Sequence, residues 1–251
     1  MYINFCAKRI AAFTLAAVLV IPVIAAGQTV QVRDAVGGES EDGTPGGFFL
    51  TGTGGLTSGT NGLDEFFREL HTGTYDFELD FGLGGGWQDF VTYCLELNQQ
   101  IGFGINTEDN ANGLPYQLTS LGSFGGFTAA DENVLEILWA NAFADSTTSR
   151  VKAAAFQTLA WELVHDGSID LMAGNFMLDE NDPHAANVLA QANAWYDNIE
   201  SGAWTTRTDL MLLTSPDSQD FIIPIPEPAT LSLLLLGAGA VVRRRGNRAA
   251  S

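Results

Sequence analysis

Residues 75–97 read YDFELDFGLGGGWQDFVTYCLEL. From Tyr75 to Asp80 apolar and acidic side chains alternate, the two-residue period of a strand with one face on a core and one in water. Gly84 to Gly86 predict a turn. From Trp87 to Leu97 the alternation resumes. Phe90, Thr92, Cys94 and Glu96 fall on one face, and Val91, Tyr93, Leu95 and Leu97 on the other.

Working outward, the chain before this pair is rich in Gly, Thr, Ser and acids. Residues 28–47 read as a flexible leader that runs into a first strand near Phe48 to Thr51. The GGFFLTGTGG string there has no following Lys-Ser/Thr, so it is not a phosphate-binding loop. Beyond the pair the period changes. DENVLEILWANAF (131–143) has acids in its first turn and Val134, Leu135, Leu138 and Trp139 on one stripe, which predicts a helix. TTSRVKAAAFQTLAWELVHDG (147–167) predicts a second, capped by a Ser or Thr near 147–149 and ended by Gly167. A third runs from Pro183 to Gly202. TDLMLLTS and QDFIIPI then read as closing strands. Strands, helices and strands in that order predict an α+β domain over residues 48–223, built on an antiparallel sheet.

Charge narrows the function. The chain carries a formal −19. Between residues 28 and 226 its cations are Arg33, Arg68, Arg150, Lys152 and Arg207 against 29 acids, about −24 for that core. A field of that sign repels phosphate backbones and argues against nucleic-acid binding. EDNANG (108–113) is a fragment of a calcium-loop pattern without the distal glutamate, and the acidic NFMLDENDPH makes the same weak claim. His71, His165 and His184 are scattered, and no metal or cofactor set is expected.

The two ends read as targeting segments. Lys8 and Arg9 precede an apolar run from Ile10 to Ile24, then Ala25, Ala26 and Gly27. A basic start, a short apolar stretch and small residues predict a signal peptide over 1–27, cleaved after Ala26 or Gly27. The run is short for a spanning helix, which needs about 20 apolar residues. At the other end Pro226, Glu227 and Pro228 precede an apolar stretch from Ala229 to Val242, and Arg243, Arg244, Arg245 and Arg248 follow. Such arginines hold a stop-transfer segment on the cytoplasmic side. Residues 224–251 closely resemble the PEP-CTERM sorting signal. That resemblance implies removal by an exosortase, transient anchoring in the inner membrane of a Gram-negative bacterium, and release to the envelope or an exopolysaccharide matrix.

Cys6 falls in the signal peptide, which leaves Cys94 alone in an oxidising compartment. Cys94 stands in Tyr93-Cys94-Leu95-Glu96, and Gln157 in Phe156-Gln157-Thr158-Leu159-Ala160-Trp161. Together these strings resemble the thioester domains of bacterial surface adhesins, which carry an aromatic-Cys-apolar-Asp/Asn motif on a strand and an apolar-Gln-x-x-apolar-Trp motif on a helix. The resemblance implies a barrel-like antiparallel sheet with an inserted helical subdomain. It also implies an internal Cys94–Gln157 thioester supported by Tyr93, Glu96 and Trp161. Glu96 departs from the family, which has Asp or Asn there. A thioester needs a thiol and a carboxamide held in attack geometry, and Trp161, one turn beyond Gln157, is placed to shield it from water.

Such a protein reacts once with a surface nucleophile on polysaccharide or protein, and is not an enzyme. The bland alternative is a non-covalent matrix module in which Cys94 is a small buried hydrophobe and the Gln-Trp pair simply packs. A third reading is a secreted glycoside hydrolase using two of the many carboxylates, although none stands in a recognisable catalytic string.

Overall fold

The acidic-apolar alternation that opens the reading becomes one wall of a curled sheet. The computed structural model describes residues 26–34, 49–54, 68–82, 86–97, 113–125, 127–167 and 169–225. These fall within one compact unit, Ile24–Pro226. Six strands form the main sheet: β1 (Thr29–Asp34), β4 (Tyr75–Asp80), β5 (Gln88–Thr92), β6 (Leu114–Ser120), β8 (Leu210–Ser215) and β9 (Ser218–Pro224). Their order is β5-β4-β1-β6-β8-β9, antiparallel throughout. A smaller antiparallel sheet has the order β3-β2-β7, from β2 (Phe49–Gly54), β3 (Arg68–His71) and β7 (Phe176–Leu178). Three helices, α1 (Ala129–Ser146), α2 (Arg150–His165) and α3 (Ala185–Glu200), occupy the chain between β6 and β8, with β7 lying between α2 and α3. The α+β class and the antiparallel sheet agree with the sequence.

The sheet curls into a half-barrel. Beyond β5 the chain leaves β4 and crosses to the far edge, where Cys94 bridges Phe221 of β9. Leu95 donates its N–H to the Asp220 carbonyl at 3.0 Å, and Ile222 donates to the Tyr93 carbonyl at 3.1 Å. Thr92 adds its hydroxyl to the Ile222 carbonyl. The two edges of the sheet are therefore laced at one seam.

Along β1, β4 and β6 the strand period holds. Val30, Val32, Phe77, Leu79, Tyr116 and Leu118 are buried, and the residues between them face outward. On the outer face Arg33 pairs with Glu78 at 2.6 Å, directly opposite in register, and lies 4.0 Å over the Trp87 ring. Gly113 carries a φ of +71°, and a Cβ there would sit 2.8 Å from both the Trp87 ring and the Val32 carbonyl. Only glycine fits a left-handed turn that close to a neighbouring strand.

Helix starts follow their caps. Thr128 accepts the Asp131 N–H while Asp131 accepts the Thr128 N–H, a capping box for α1. Ser149 accepts the Lys152 N–H at the start of α2. Helix α2 packs against both α1 and α3, and every residue from Ala153 to Leu163 is buried. A helix buried all round is the centre of its layer.

Four readings need correction. Residues 29–34, which composition assigns to a flexible leader, form β1 in the interior of the main sheet, because Val30 and Val32 alternate with polar residues and fill the core. The single strand expected over 87–97 is two pairings: β5 against β4, then 93–95 against β9. Its alternation of faces fails there, since residues 92–95 are all buried. Strands β3, β6 and β7 are additional to those the sequence predicts, and β7 lies inside the acidic NFMLDENDPH string. The third helix begins at Ala185 rather than Pro183. Residues 1–25 of the expected signal peptide, the sorting motif from Pro226 onward and residues 108–112 of the EDNANG loop lie outside the described residues. No helix among the described residues is long and apolar enough to cross a membrane.

Candidate functional site

The seam fixes how the Cys94 backbone points. In an antiparallel pair the groups that bond the neighbour strand alternate along the chain. Tyr93 C=O and Leu95 N–H face β9, so Cys94 N–H and C=O face away from it and need other partners. The Gln157 side chain of α2 supplies both. Cys94 N–H donates to Gln157 Oε1 at 3.2 Å, and Gln157 Nε2 donates to the Cys94 carbonyl at 2.6 Å. The carboxamide thus acts as a one-residue strand. The Cys94 sulfur lies 3.5 Å from the same Oε1. Cys94 and Gln157 are both fully buried.

Tyr93 sets the register of this contact. Its ring stacks on Phe156 at 4.3 Å, and its hydroxyl donates to Ser146 Oγ at 2.6 Å. Tyr93 and Phe156 are the immediate predecessors of Cys94 and Gln157, so one ring pair aligns both side chains. Burial raises the Tyr93 phenol, against the pull of Ser146. Tyr93 supports the contact from the helix side.

Glu96 belongs to the seam. Its carboxylate accepts the Asp220 N–H at 3.2 Å, and its carbonyl accepts Gln219 Nε2 at 2.7 Å. Burial, then the neighbouring Asp220 charge, pushes its carboxyl up to about 7. Burial pushes Asp220 up to about 6, offset by the Ser215 N–H it accepts at 2.9 Å. Two raised carboxyls side by side are a feature that acid–base catalysis draws on. Here both accept backbone N–H groups, Glu96 across the seam and Asp220 within the β8–β9 hairpin. Among the described residues, no group of three or more His, Cys, Asp or Glu is arranged to hold a metal ion.

Trp161 is nearly fully buried, with its ring edge toward Phe176 of β7 at 5.8 Å. It lies beside the sulfur. Burial pushes the Cys94 thiol up to about 12, while Tyr75 and Trp161 pull it back down. Tyr75, at the start of β4, was not singled out from the sequence, nor were Phe221 and Asp220. Nothing in the local pattern of residues 75–80 says that the first residue of that strand meets a cysteine 19 positions on. The arrangement as a whole holds a thiol against a carboxamide in a site closed to bulk water. Thiol and carboxamide so held can exchange an acyl group with loss of ammonia.

Comparison with curated proteins returns no match, and comparison with solved structures returns none. One family description matches, the PEP-CTERM protein-sorting motif, over residues 224–246. It takes in the last residue of β9 and the Pro226-Glu227-Pro228 string, and reaches Arg243, Arg244 and Arg245. That motif marks an exported protein that holds the membrane transiently and is sorted by an exosortase.

Proposed function

We propose that this exported chain is a surface or biofilm-matrix protein that closes an internal thioester between Cys94 and Gln157 and spends it once on an outside nucleophile. The observation that supports this is the clamp: the Cys94 backbone grips both ends of the Gln157 carboxamide beside the Cys94 sulfur. In closing the bond, sulfur attacks the carboxamide carbon. The carbon–nitrogen bond breaks, and the nitrogen leaves as ammonia carrying the thiol proton. The Cys94 N–H already donates to the oxygen on which negative charge develops, the role of an oxyanion-hole donor.

Burial makes closure slow and the product durable. With the thiol pushed up to about 12, roughly one molecule in 10⁵ is a thiolate at pH 7. That suits a single maturation event and not turnover, so this reading describes a protein that is not an enzyme. The same dry surroundings keep water from the finished bond. An amine or hydroxyl on polysaccharide or protein then takes the acyl group, which leaves the chain covalently attached outside the cell.

Intact mass of the purified secreted chain tests the reading. The expected result is a deficit of one ammonia, with Cys94 resistant to alkylation in denaturant. Methylamine restores mass at Gln157 and frees one thiol per chain, and Cys94→Ala shows neither effect. Full sequence mass with a titratable thiol overturns covalent attachment and leaves the clamp as a purely structural hydrogen-bond pair.

A further inference from the structure

The chain enters and leaves the main sheet at the same end. β1 starts beside the finish of β6: Gly27 donates its N–H to the Leu118 carbonyl at 2.6 Å, and Thr29 stands opposite Gln117. β6 finishes beside the start of β8, with Ser120 opposite Met211. β8 starts beside the finish of β9, with Leu210 opposite Pro224. Just past β9 the Ile225 N–H still donates to the Asp209 carbonyl at 2.9 Å. β1, β6, β8 and β9 are neighbours in that order, so entry and exit lie about 14 Å apart, three strand spacings across.

The sorting motif begins at that exit. Its match starts at residue 224, the last residue of β9. Ile225 is held by Asp209, and the apolar stretch opens at Ala229. Only Pro226, Glu227 and Pro228 separate the two, and three residues span at most about 11 Å. The headgroup layer of a bilayer takes about 5–7 Å of that. The apolar stretch from Ala229 to Val242 is itself short for a bilayer, so it has no residues to lend as a spacer. A chain anchored by this motif therefore has almost no slack between the sheet and the lipid. The expected signal peptide joins the sheet at the same end, so both apolar segments can enter one bilayer without turning the domain over.

Charge favours the same end. An acidic core is repelled by anionic lipid. The connection from β6 to α1 belongs to a run, Leu114 to Ala130, that carries no charged residue. Asp80 on β4 and Asp209 are acids at this end, and Arg207 lies two residues from Asp209. The opposite end carries Asp34 at the finish of β1, Asp217 in the β8–β9 turn, and Asp220 with Glu96 at the seam.

We propose that the end of the half-barrel formed by Gly27, the β6–α1 connection and Ile225 stands on the outer surface of the bilayer while the tail is uncut. The exosortase then cuts at the headgroup layer, with β9 directly above it. The β8–β9 turn points away from the membrane, about 20 Å higher, because β9 rises about 3.3 Å per residue over its length. This orientation is independent of the thioester reading.

The test places a nitroxide at either end of the sheet in the full chain with its tail intact. The chain is reconstituted in nanodiscs of phosphatidylethanolamine and phosphatidylglycerol that include a nickel-chelating headgroup lipid. Gly125→Cys labels the turn beyond β6, where a side chain meets open space. Asp217→Cys labels the exposed β8–β9 turn. Both are made in a Cys6→Ala background, and Cys94 is buried and stays unlabelled in the folded chain. Nickel is expected to relax the Gly125→Cys label at least about threefold more than the Asp217→Cys label, the two differing by about 20 Å in height. Inserting about 12 Gly/Ser residues between Ile225 and Pro226 gives the domain a flexible leash and should abolish the difference. Equal relaxation in the unmodified tether, or more at Asp217→Cys, overturns the orientation. A difference that persists with the leash overturns the short tether as its cause. Asp209→Cys puts a label at the exit itself and decides the case if Gly125→Cys does not fold.

Discussion

The wall of β4, β1 and β6 and the seam at residues 93–95 are built from the same kind of sequence and solve different problems. In the wall, backbone groups bond neighbouring strands on both sides, and side chains alternate between core and water. At the seam the chain has one strand neighbour only. Helix α2 stands where the second would be, and Gln157 takes the place of a strand. Residues there are buried on both faces, so the strand period disappears. The contrast teaches that a curled sheet can end on a side chain, and that such an end concentrates polar chemistry in a dry place.

Removing the substitute strand should separate the two regions most. Gln157→Ala leaves a buried N–H and a buried carbonyl unsatisfied, at about 1–3 kcal/mol each. A loss of about 2–5 kcal/mol is expected in urea unfolding. Gln117→Ala, on the exposed face of β6, should change stability by no more than about 0.5 kcal/mol. Equal losses at the two sites would break the comparison.

Tyr93→Phe sharpens it. The ring stack on Phe156 survives, and the hydroxyl bond to Ser146 does not. About 1–2 kcal/mol is expected for one buried hydrogen bond, with the ammonia deficit retained. Loss of the deficit would show that Tyr93 acts on the reactive pair itself.

The third effect is a pH dependence confined to the seam and to α2. Glu96, Asp220 and Glu162 have folded-state carboxyls raised to about 7, 6 and 8. The cause in each case is burial first. A raised carboxyl means the folded state holds more protons than the unfolded state between the two pKa values, so stability falls as pH rises through that window. The melting temperature should therefore drop by several degrees between about pH 5 and pH 8. Glu96→Gln should flatten part of that slope. A stability that rises over the same range would contradict it.

The smallest effect belongs to the wall's outer face. Arg33→Ala removes the pair with Glu78 and the contact over Trp87, both partly exposed. About 1 kcal/mol or less is expected, and added salt should shrink it.

Local pattern carried a good part of the fold. β4, α1, α2 and the closing strands follow from periods of two and 3.6 and from caps such as Ser149. β1 was missed because a six-residue strand bounded by a Gly- and acid-rich stretch looks like the leader it adjoins. β6 was missed because Pro115 and Gln117 break the apolar signal, although they face outward. Of the site, Cys94, Gln157, Tyr93, Glu96 and Trp161 were singled out by motif. Tyr75, Asp220 and Phe221 were not, since each comes to Cys94 through long-range pairing.

What the sequence determined by itself is the sorting motif, the α+β class and the identity of the thiol and carboxamide. These are written in short windows: an ordered tail of Pro-Glu-Pro, apolar stretch and arginines, alternating strands, and a capped helix rich in apolar residues. Only the tertiary structure decided where Cys94 sits. Closure of the sheet on β9 turned its N–H and carbonyl toward α2, buried the sulfur, and brought Tyr75 and Trp161 to it. The physical reason is that a buried backbone group must find a partner, and which partner is within reach depends on how the whole sheet curls, not on the residues beside it.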